Sequence, residues 1–424
     1  MERVHLLRNQ LAGCPFRFKH PPTTNTNTTT TNLNEPVIIY GIRSPIIKTT
    51  KDNNINNSLS PELILSQLLK SIISNTKLNP SSIDDIIIGN ALQSGAGFLS
   101  SKAAAVMASI PHTVPVYTLN RLCNSGLQSI INAHSSIKSG MATTIIAGGI
   151  ESMTAENFNN MLNPSLLSTE TTSSSHEHQQ QIHKLLTPMG ITNENVCELY
   201  NIPRYKQDHF AYESHMKATK AFNEGKLRKE IQPITISDNT TITYDNVIRP
   251  DANITTLSKL KPVFKVNGTT TAGNASSISI GGALCLLTTK RIAKEMKIST
   301  HVARIIGYAV VGVPPEIMGI GPSHAIPAVL RKCNLTINDI DVFEINEAFA
   351  GQALYCIEHL NIPKDKVNIH GGAIALGHPL GCTGARMVVS LLNILHTYKK
   401  KRGLISMCVG TGMGAACIIE RELL

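Results

Sequence analysis

The chain has 424 residues, 42% of them hydrophobic and none of them tryptophan, and a formal charge of +10. That length and apolar content suit one large or two fused domains with substantial cores and exclude a fibrous or disordered chain. The longest apolar runs, such as "AAAVMASI" and "TTIIAGGI", fall short of the roughly 18 residues a membrane helix needs, and Lys and Arg are scattered outside the single run "YKKKR", which argues against nucleic acid and suits an anionic small substrate.

Nine cysteines, an odd number with no C-x-x-C pair, suggest neither a zinc ribbon nor a disulfide framework, so no metal site is predicted and a reducing compartment is the simpler inference. Residues 1–35 differ in composition from the rest and end in "PPTTNTNTTTTNLN", a polar tract that cannot bury a core and reads as a linker. Ahead of it, "RVHLLRNQL" places Arg3 and Val4 seven positions before Gln10 and Leu11, one stripe on a helix. The nonapeptide resembles the N-terminal type of peroxisomal targeting signal, which implies an import receptor as partner. Arg3, Arg8, Arg17 and Lys19 against the single acid Glu2 also fit a mitochondrial transit peptide. Either reading excludes the segment from the fold.

From Glu35 onward strand-like runs alternate with helical patterns: "PVIIYGI", then "PELILSQLLKSIIS", "SIDDIIIGN" and later "TTIIAGG". The alternation predicts an α/β fold with a buried sheet. The chain also repeats itself. "SSIDDIIIGNAL" resembles "LTINDIDVFEINEAF", each after a helix pattern opened by proline, Pro61 or Pro322, and "CNSGLQSI" resembles "GCTGARMVVSLL", each leading through a helix into a strand. Both correspondences lie about 255 residues apart, which predicts two homologous α/β halves, 36–290 and 291–424. Between about 154 and 261 the pattern weakens and includes "STETTSSSHEHQQQIH", read as a solvated loop region inserted in the first half.

Four segments join glycine to reactive side chains: "NRLCNSGLQ", "FEINEAFAGQ", "GGAIALGHPLGCTGAR" and "SMCVGTGMGAA". Cys123 precedes a helix-like run. A thiol has a pKa near 8.5, and a helix N-terminus supplies about 0.3–1 kcal/mol, less than the roughly 1.4 kcal/mol of one pK unit, so a base is needed. His378, in a glycine-rich turn, is the candidate. Cys408, at the end of the strand "GLISMCVG", reads by itself as a buried core cysteine, and Asn346 as a turn residue. "GTGMGA" satisfies G-x-G-x-x-A, but the chain ends about ten residues later, without room for a dinucleotide-binding unit.

Together these segments resemble the thiolase family, whose nucleophile, Asn-Glu-Ala-Phe, Gly-His-Pro and C-terminal Cys-x-Gly-x-Gly motifs they carry in order. "GTTTAGNAS", "PMGIT" and "GVPPEIMGIGP" add matches, and the resemblance runs from about Pro36 to the end. It implies a layered αβαβα fold, Cys123 as acyl-carrying nucleophile, His378 as the group that activates it, and Cys408 as the acid/base at the α-carbon of acetyl-CoA. Asn346 would hold a water that, with His378, stabilises an enolate oxygen. The backbone amides of Cys123 and Gly410 would form a second oxyanion site. Arg249 is implied near the adenine end of CoA, with Met189 and Ser276 along its pantetheine arm.

The resemblance further implies thiolytic cleavage of 3-oxoacyl-CoA by CoA, no metal or organic cofactor, and a homodimer. "TPMG" and "GVPPEIMGIGP" look like the peroxisomal degradative branch. An acetyl-CoA acetyltransferase running the reverse condensation is the alternative, and a non-catalytic acyl-CoA-binding relative should lack one of Cys123, His378 or Cys408. The chain departs from the family at Ile280, in "SISIGGA", where an Asp is usual; an Asp there would be expected to cap a helix, its loss costing about 1 kcal/mol.

Overall fold

The run "PVIIYGIR" has apolar residues at successive rather than alternate positions, the pattern of a strand covered on both faces. It forms β1 (Pro36–Arg43) in the middle of the main sheet. The computed structural model describes residues 33–49, 58–154, 157–158, 161, 176–237, 240–298 and 302–423. The targeting-like nonapeptide, the Thr/Asn tract and the start of the polar excursion lie outside the described residues.

After β1 the first half continues with α1 (Pro61–Thr76), β2 (Asp85–Gly89), α2 (Phe98–Met107), β3 (Val116–Leu119), α3 (Ser125–Lys138) and β4 (Thr144–Ser152). The inserted region carries α4 (Met189–Leu199) and α5 (Arg204–Asn223) before the chain returns as β5 (Ser279–Thr289). The second half follows with β6 (Ala303–Gly312), α6 (Gly321–Lys332), β7 (Val342–Ile345), α7 (Ala350–His359), α8 (Leu380–Thr397), β8 (Arg402–Val409) and β9 (Met413–Arg421). Proline opens α1 and α6, where its missing N–H is no loss and its φ suits a helix, and Ser60 caps α1 by accepting from the Leu63 amide.

The strand order is β7-β8-β9-β6-β1-β5-β4-β2-β3. In the first half β1 pairs antiparallel with β5, β5 antiparallel with β4, and β4 parallel with β2. The second half repeats this as β6, β9, β8 and β7. The halves meet at β1 and β6 through one residue pair, Ile38 with Ala303. Side chains of one parity, among them Ile38, Ile87, Ile145 and Cys285 from the first half and Ile405, Met407 and Cys417 from the second, share a core with α3 and α8. The other parity packs outward, Ile39, Ile86 and Leu284 beside α1 and α2, and Phe343, Leu404 and Ile418 beside α6. The result is helix, sheet, central helices, sheet, helix, the layering expected from the sequence.

The central helices approach so closely that only glycine fits. A Cβ on Gly126, at the start of α3, would stand 2.5 Å from the Gly381 carbonyl oxygen, and one on Gly384 would stand 2.5 Å from the Leu127 amide nitrogen. Gly149, on β4, would put its Cβ 1.9 Å from the same Gly381 oxygen. These neighbours are backbone and have no rotamer to yield.

Two expectations need correction. The 154–261 region is largely built rather than looped: besides α4 and α5 it holds a helix His176–Leu185 and a hairpin of Ile234–Ser237 with Thr240–Ile242. Its apolar periodicity is faint because the buried face of α5 consists of Gln207, Asp208, Ala211, Ser214, His215, Ala218 and Ala221. Arg43 on β1 ties the insertion down, donating from Nε to Glu230 and from both terminal nitrogens to Asp245, at 2.8–2.9 Å and wholly buried. Ile280, second, begins no helix. It lies in β5 opposite Ser152 and Ile47 and shares an apolar cluster with Leu59 and Ile64, where an Asp would be a buried charge.

Gly126→Ala should therefore destabilise the protein by about 1–3 kcal/mol through overpacking. Gly312→Ala, whose Cβ meets nothing within 4 Å, should be near neutral. Chemical denaturation of the two variants checks the contrast, and equal midpoints would refute the close crossing.

Candidate active site

Cys123 sits in the turn between β3 and α3, held in an unusual shape. Leu122 has φ +47°, left-handed for a branched residue, and Leu122–Asn124 form a single 3₁₀ turn. The turn is fastened on each side: Leu122 N–H donates to Asn120 Oδ1 at 2.8 Å, Arg121 N–H to Ser125 Oγ at 2.8 Å, and the Ser125 hydroxyl to the Leu122 carbonyl at 2.7 Å. The amides of Gly410 and of Cys123 itself are directed at the Cys123 sulfur. Burial, outweighing these donors, pushes the thiol up to about 11, so at neutral pH it is protonated.

His378 enters from the other half. Gly377, at φ +93°, turns the chain just ahead of it, and a Cβ there would lie 2.6 Å from Ser279 Oγ, which is why the turn needs glycine. Thr383 Oγ1 donates its only proton to the Pro379 carbonyl at 2.8 Å. The contact of 2.6 Å between Thr383 Oγ1 and His378 Nδ1 must then be an Nδ1–H donation, which puts the ring's lone pair on Nε2. Asn346 Nδ2 lies 3.4 Å from that Nε2. Burial, assisted by the Arg386 charge, lowers the imidazole pKa to about 3, so the ring is neutral, with Nε2 as its proton-accepting nitrogen.

Asn346 follows β7 directly and is 1% exposed. Its backbone is held by Ser406 and Gln352, and its Oδ1 is buried without a partner. Cys408, near the end of β8, is equally buried, and burial first, then Cys123 and Cys356 nearby, raise its thiol well above the ordinary range. Cys123, His378, Cys408 and Gly410 line one apolar cleft of about 230 Å³, with Met153, Met318, Phe349 and Leu380 among its walls.

Met189 and Ser276 line the same cleft. The Ser276 hydroxyl gives its proton to the Ala348 carbonyl at 2.9 Å, so toward a ligand it can only accept. Arg249 is not in this cleft. It lines an adjoining cavity with Lys48, His215 and Asp251, and the two cavities share Ala275 and Ser277. The catalytic, oxyanion and pantetheine residues named from the sequence thus come together, and Arg249 stands one cavity away, behind walls shared at Ala275 and Ser277. Thr383 and Glu151 escaped the sequence reading. An acid inside the otherwise apolar strand "TIIAGGIES" is the available signal for Glu151.

Among the described residues no group of His, Cys, Asp and Glu has the arrangement of a metal site. The site is instead a set of uncharged proton carriers, two thiols and one imidazole, with amide donors around them. It suits formation and breakage of an acyl-sulfur bond, with proton transfer and an oxyanion in a water-poor cleft.

Two family profiles cover the chain: the thiolase N-terminal domain matches residues 36–291 and the thiolase C-terminal domain residues 299–421. The peroxisomal 3-ketoacyl-CoA thiolase A of Mus musculus is 44% identical over 420 residues, 97% of this chain and 94% of that protein. Among solved structures, the dimeric peroxisomal thiolase of Saccharomyces cerevisiae aligns with a TM-score of 0.84 at 43% identity, over 92% of this chain and 98% of that one. Human mitochondrial 3-ketoacyl-CoA thiolase in complex with CoA aligns with a TM-score of 0.78 at 32% identity, over 92% and 99%.

A buried neutral thiol beside a neutral imidazole gives a definite pH profile. Alkylation of Cys123 by iodoacetamide, followed by mass spectrometry, should climb about tenfold per pH unit between pH 7 and 10, because only the thiolate reacts. A plateau through pH 6–8 would mean a preformed ion pair and contradict this assignment.

Proposed function

Because the chain belongs to the thiolase family, we propose that it is a 3-ketoacyl-CoA thiolase, cleaving 3-oxoacyl-CoA with CoA to acetyl-CoA and an acyl-CoA shortened by two carbons. The observation that carries this reading is the convergence of Cys123, His378 and Cys408 on one apolar cleft that adjoins a cavity bearing Arg249 and Lys48. The cleft accommodates the reacting acyl group, and the cations suit the phosphorylated end of CoA. Relatives that match over most of their length carry the same activity in their names.

In this scheme His378 Nε2 takes the Cys123 proton as the sulfur attacks the 3-keto carbon. The oxyanion that forms is met by the amides of Cys123 and Gly410, a contribution typically on the order of 10²–10³ in rate per donor. The bond between C2 and C3 breaks, leaving an acyl-Cys123 thioester and the enolate of acetyl-CoA, whose oxygen faces Asn346 and His378. Cys408 protonates C2, and the proton held on His378 restores the Cys408 thiol. After acetyl-CoA leaves, His378 takes the thiol proton of the incoming CoA, the CoA sulfur attacks the thioester carbon, and the proton returns to Cys123. Every step is an acyl or proton transfer, so the scheme calls for no metal or prosthetic group; CoA enters as a substrate.

The chain is further proposed to act as a homodimer in the peroxisome, by analogy with the dimeric yeast relative and the peroxisomal names of its relatives. The nonapeptide at Arg3–Leu11 would be what an import receptor reads.

Thiolysis measured with C4, C8 and C16 3-oxoacyl-CoA should show turnover beyond C4, and Cys123→Ala should lower kcat by at least roughly 10⁴. Activity confined to acetoacetyl-CoA would move the protein to the biosynthetic acetyltransferases, and unimpaired turnover in the variant would sink the mechanism. A fluorescent fusion of residues 1–35 should enter peroxisomes and fail to do so when Gln10 and Leu11 are changed; import into mitochondria would overturn the address.

A further inference from the structure

The two halves can be superposed residue by residue through their strand registers. Gly89 of β2 faces Gly149 of β4, and Ile345 of β7 faces Ser406 of β8. One residue further along the first strand of each pair stand Asn90 and Asn346. Two residues further along the second stand Glu151 and Cys408, which face Gly281 and Gly414 on their other sides. Gly381 of the second half holds the place that Cys123 holds in the first, each at the threshold of its central helix. Three of the four members of the proposed catalytic set, Asn346, Cys408 and Cys123, therefore have counterparts in a second locus, composed of Asn90, Glu151 and Gly381.

That second locus is closed by the chain itself. Glu151 is wholly buried, and its Oε2 accepts from the amides of Ala91 and Gly381 at 2.9 Å each, while Oε1 accepts from the Leu92 amide at 3.3 Å. The Gly381 amide is one of the free donors at the start of α8 and corresponds to the Cys123 amide, a proposed oxyanion donor. A carboxylate thus fills in one half the kind of site that the other half leaves open. The carboxylate also bridges the catalytic elements: β4 and the loop after β2 belong to the half with Cys123, and α8 follows His378 by two residues. No other freedom is left at the junction, since a Cβ on Gly381 would strike the Ile150 and Gly89 carbonyl oxygens at 2.6 and 2.9 Å.

We infer that Glu151 is a positioning residue for the thiolase reaction, a buried carboxyl that takes up the counterpart of the Cys123 oxyanion donor and holds the Cys123 turn and the His378 turn at their working separation. The inference rests on the proposed reading of the site. Burial pushes the Glu151 carboxyl up to about 7, so above neutral pH it is a carboxylate whose charge adds to the larger effect of burial in opposing ionisation of Cys123.

The test compares Glu151→Gln, which keeps the shape but loses the charge and one acceptor, with Glu151→Asp, which keeps the charge but withdraws it by one methylene. Both should lose kcat by roughly 10- to 100-fold, as expected for a misplacement of about 1 Å, with KM for the acyl-CoA within about threefold. A merely structural residue would not move the second readout: in Glu151→Gln alone, the pH profile of Cys123 alkylation should shift to lower pH. Wild-type kcat, or an unmoved alkylation profile in Glu151→Gln, overturns the inference. If both variants fail to fold, hydrogen exchange on the wild-type protein decides: the amides of Ala91, Leu92 and Gly381 should exchange as slowly as the core strands, and fast exchange refutes the bridge. Absence of thiolysis in the wild type would instead count against the proposed function, and the alkylation and exchange readouts would still stand.

Discussion

The close crossing of α3 and α8 is the constraint on which the rest depends. Two helices lined by Leu, Ile or Met ordinarily keep their axes about 8–10 Å apart. Here Gly126, Gly381 and Gly384 remove the side chains from the crossing point, and Gly149 lets the sheet close against it. The helices touch at their N-terminal ends, where Cys123 and His378 stand. A nucleophile from one half and a base from the other thus share one cleft, although about 255 residues separate the units that carry them. The cost is a junction with no slack, stabilised by two apolar outer layers and a central core drawing on both halves.

Electrostatics follow from this burial. A deep cleft in a low-dielectric interior disfavours every charged form, so the reacting groups rest neutral: Cys123 and Cys408 as thiols, His378 as an imidazole pinned in one tautomer by Thr383. Charge is kept instead in the frame around them. Arg43 with Glu230 and Asp245 anchors the insertion, and Arg386 with Glu344 stands behind the base and helps keep it unprotonated. Such buried pairs contribute little net stability compared with an apolar packing, but breaking one strands a charge, which costs about 3–5 kcal/mol. Their placement favours a role in orientation over one in stability.

The internal repeat shows how one scaffold divides its labour. At corresponding positions the halves carry Cys123 and Gly381, Glu151 and Cys408, Asn90 and Asn346. Asn90 spends its amide on Gln93 and the Ile150 carbonyl, whereas Asn346, beside His378, keeps a buried unpaired oxygen. The open locus requires donors that wait for a ligand. Its counterpart satisfies the Gly381 amide, equivalent to that of Cys123, with an internal carboxyl group, because an unfilled buried amide costs free energy.

Much of this was legible in the residues. Strands buried on both faces appear as unbroken apolar runs, "PVIIYGIR" and "TIIAGGIES", and proline marks the start of α1 and α6, so the α/β class, the duplication and the motif-borne Cys123, His378, Cys408 and Asn346 could be named in advance. Local chemistry sufficed for the fold class, since backbone preference and apolar pattern act over a few residues, but the roles of Cys408 and Asn346 came from the family motifs that hold them. The helices of the insertion leave no apolar period, because α5 buries Ala, Ser, Gln, Asp and His, and at Ile280 nothing local distinguishes a strand from a helix start. The tautomer of His378, the neutral state of the thiols, the separation of Arg249 from the cleft and the bridging of both halves by Glu151 were decided by tertiary structure alone. Each depends on groups far apart in the chain being brought within hydrogen-bonding distance and out of water, and neither distance nor dielectric is written in the order of residues.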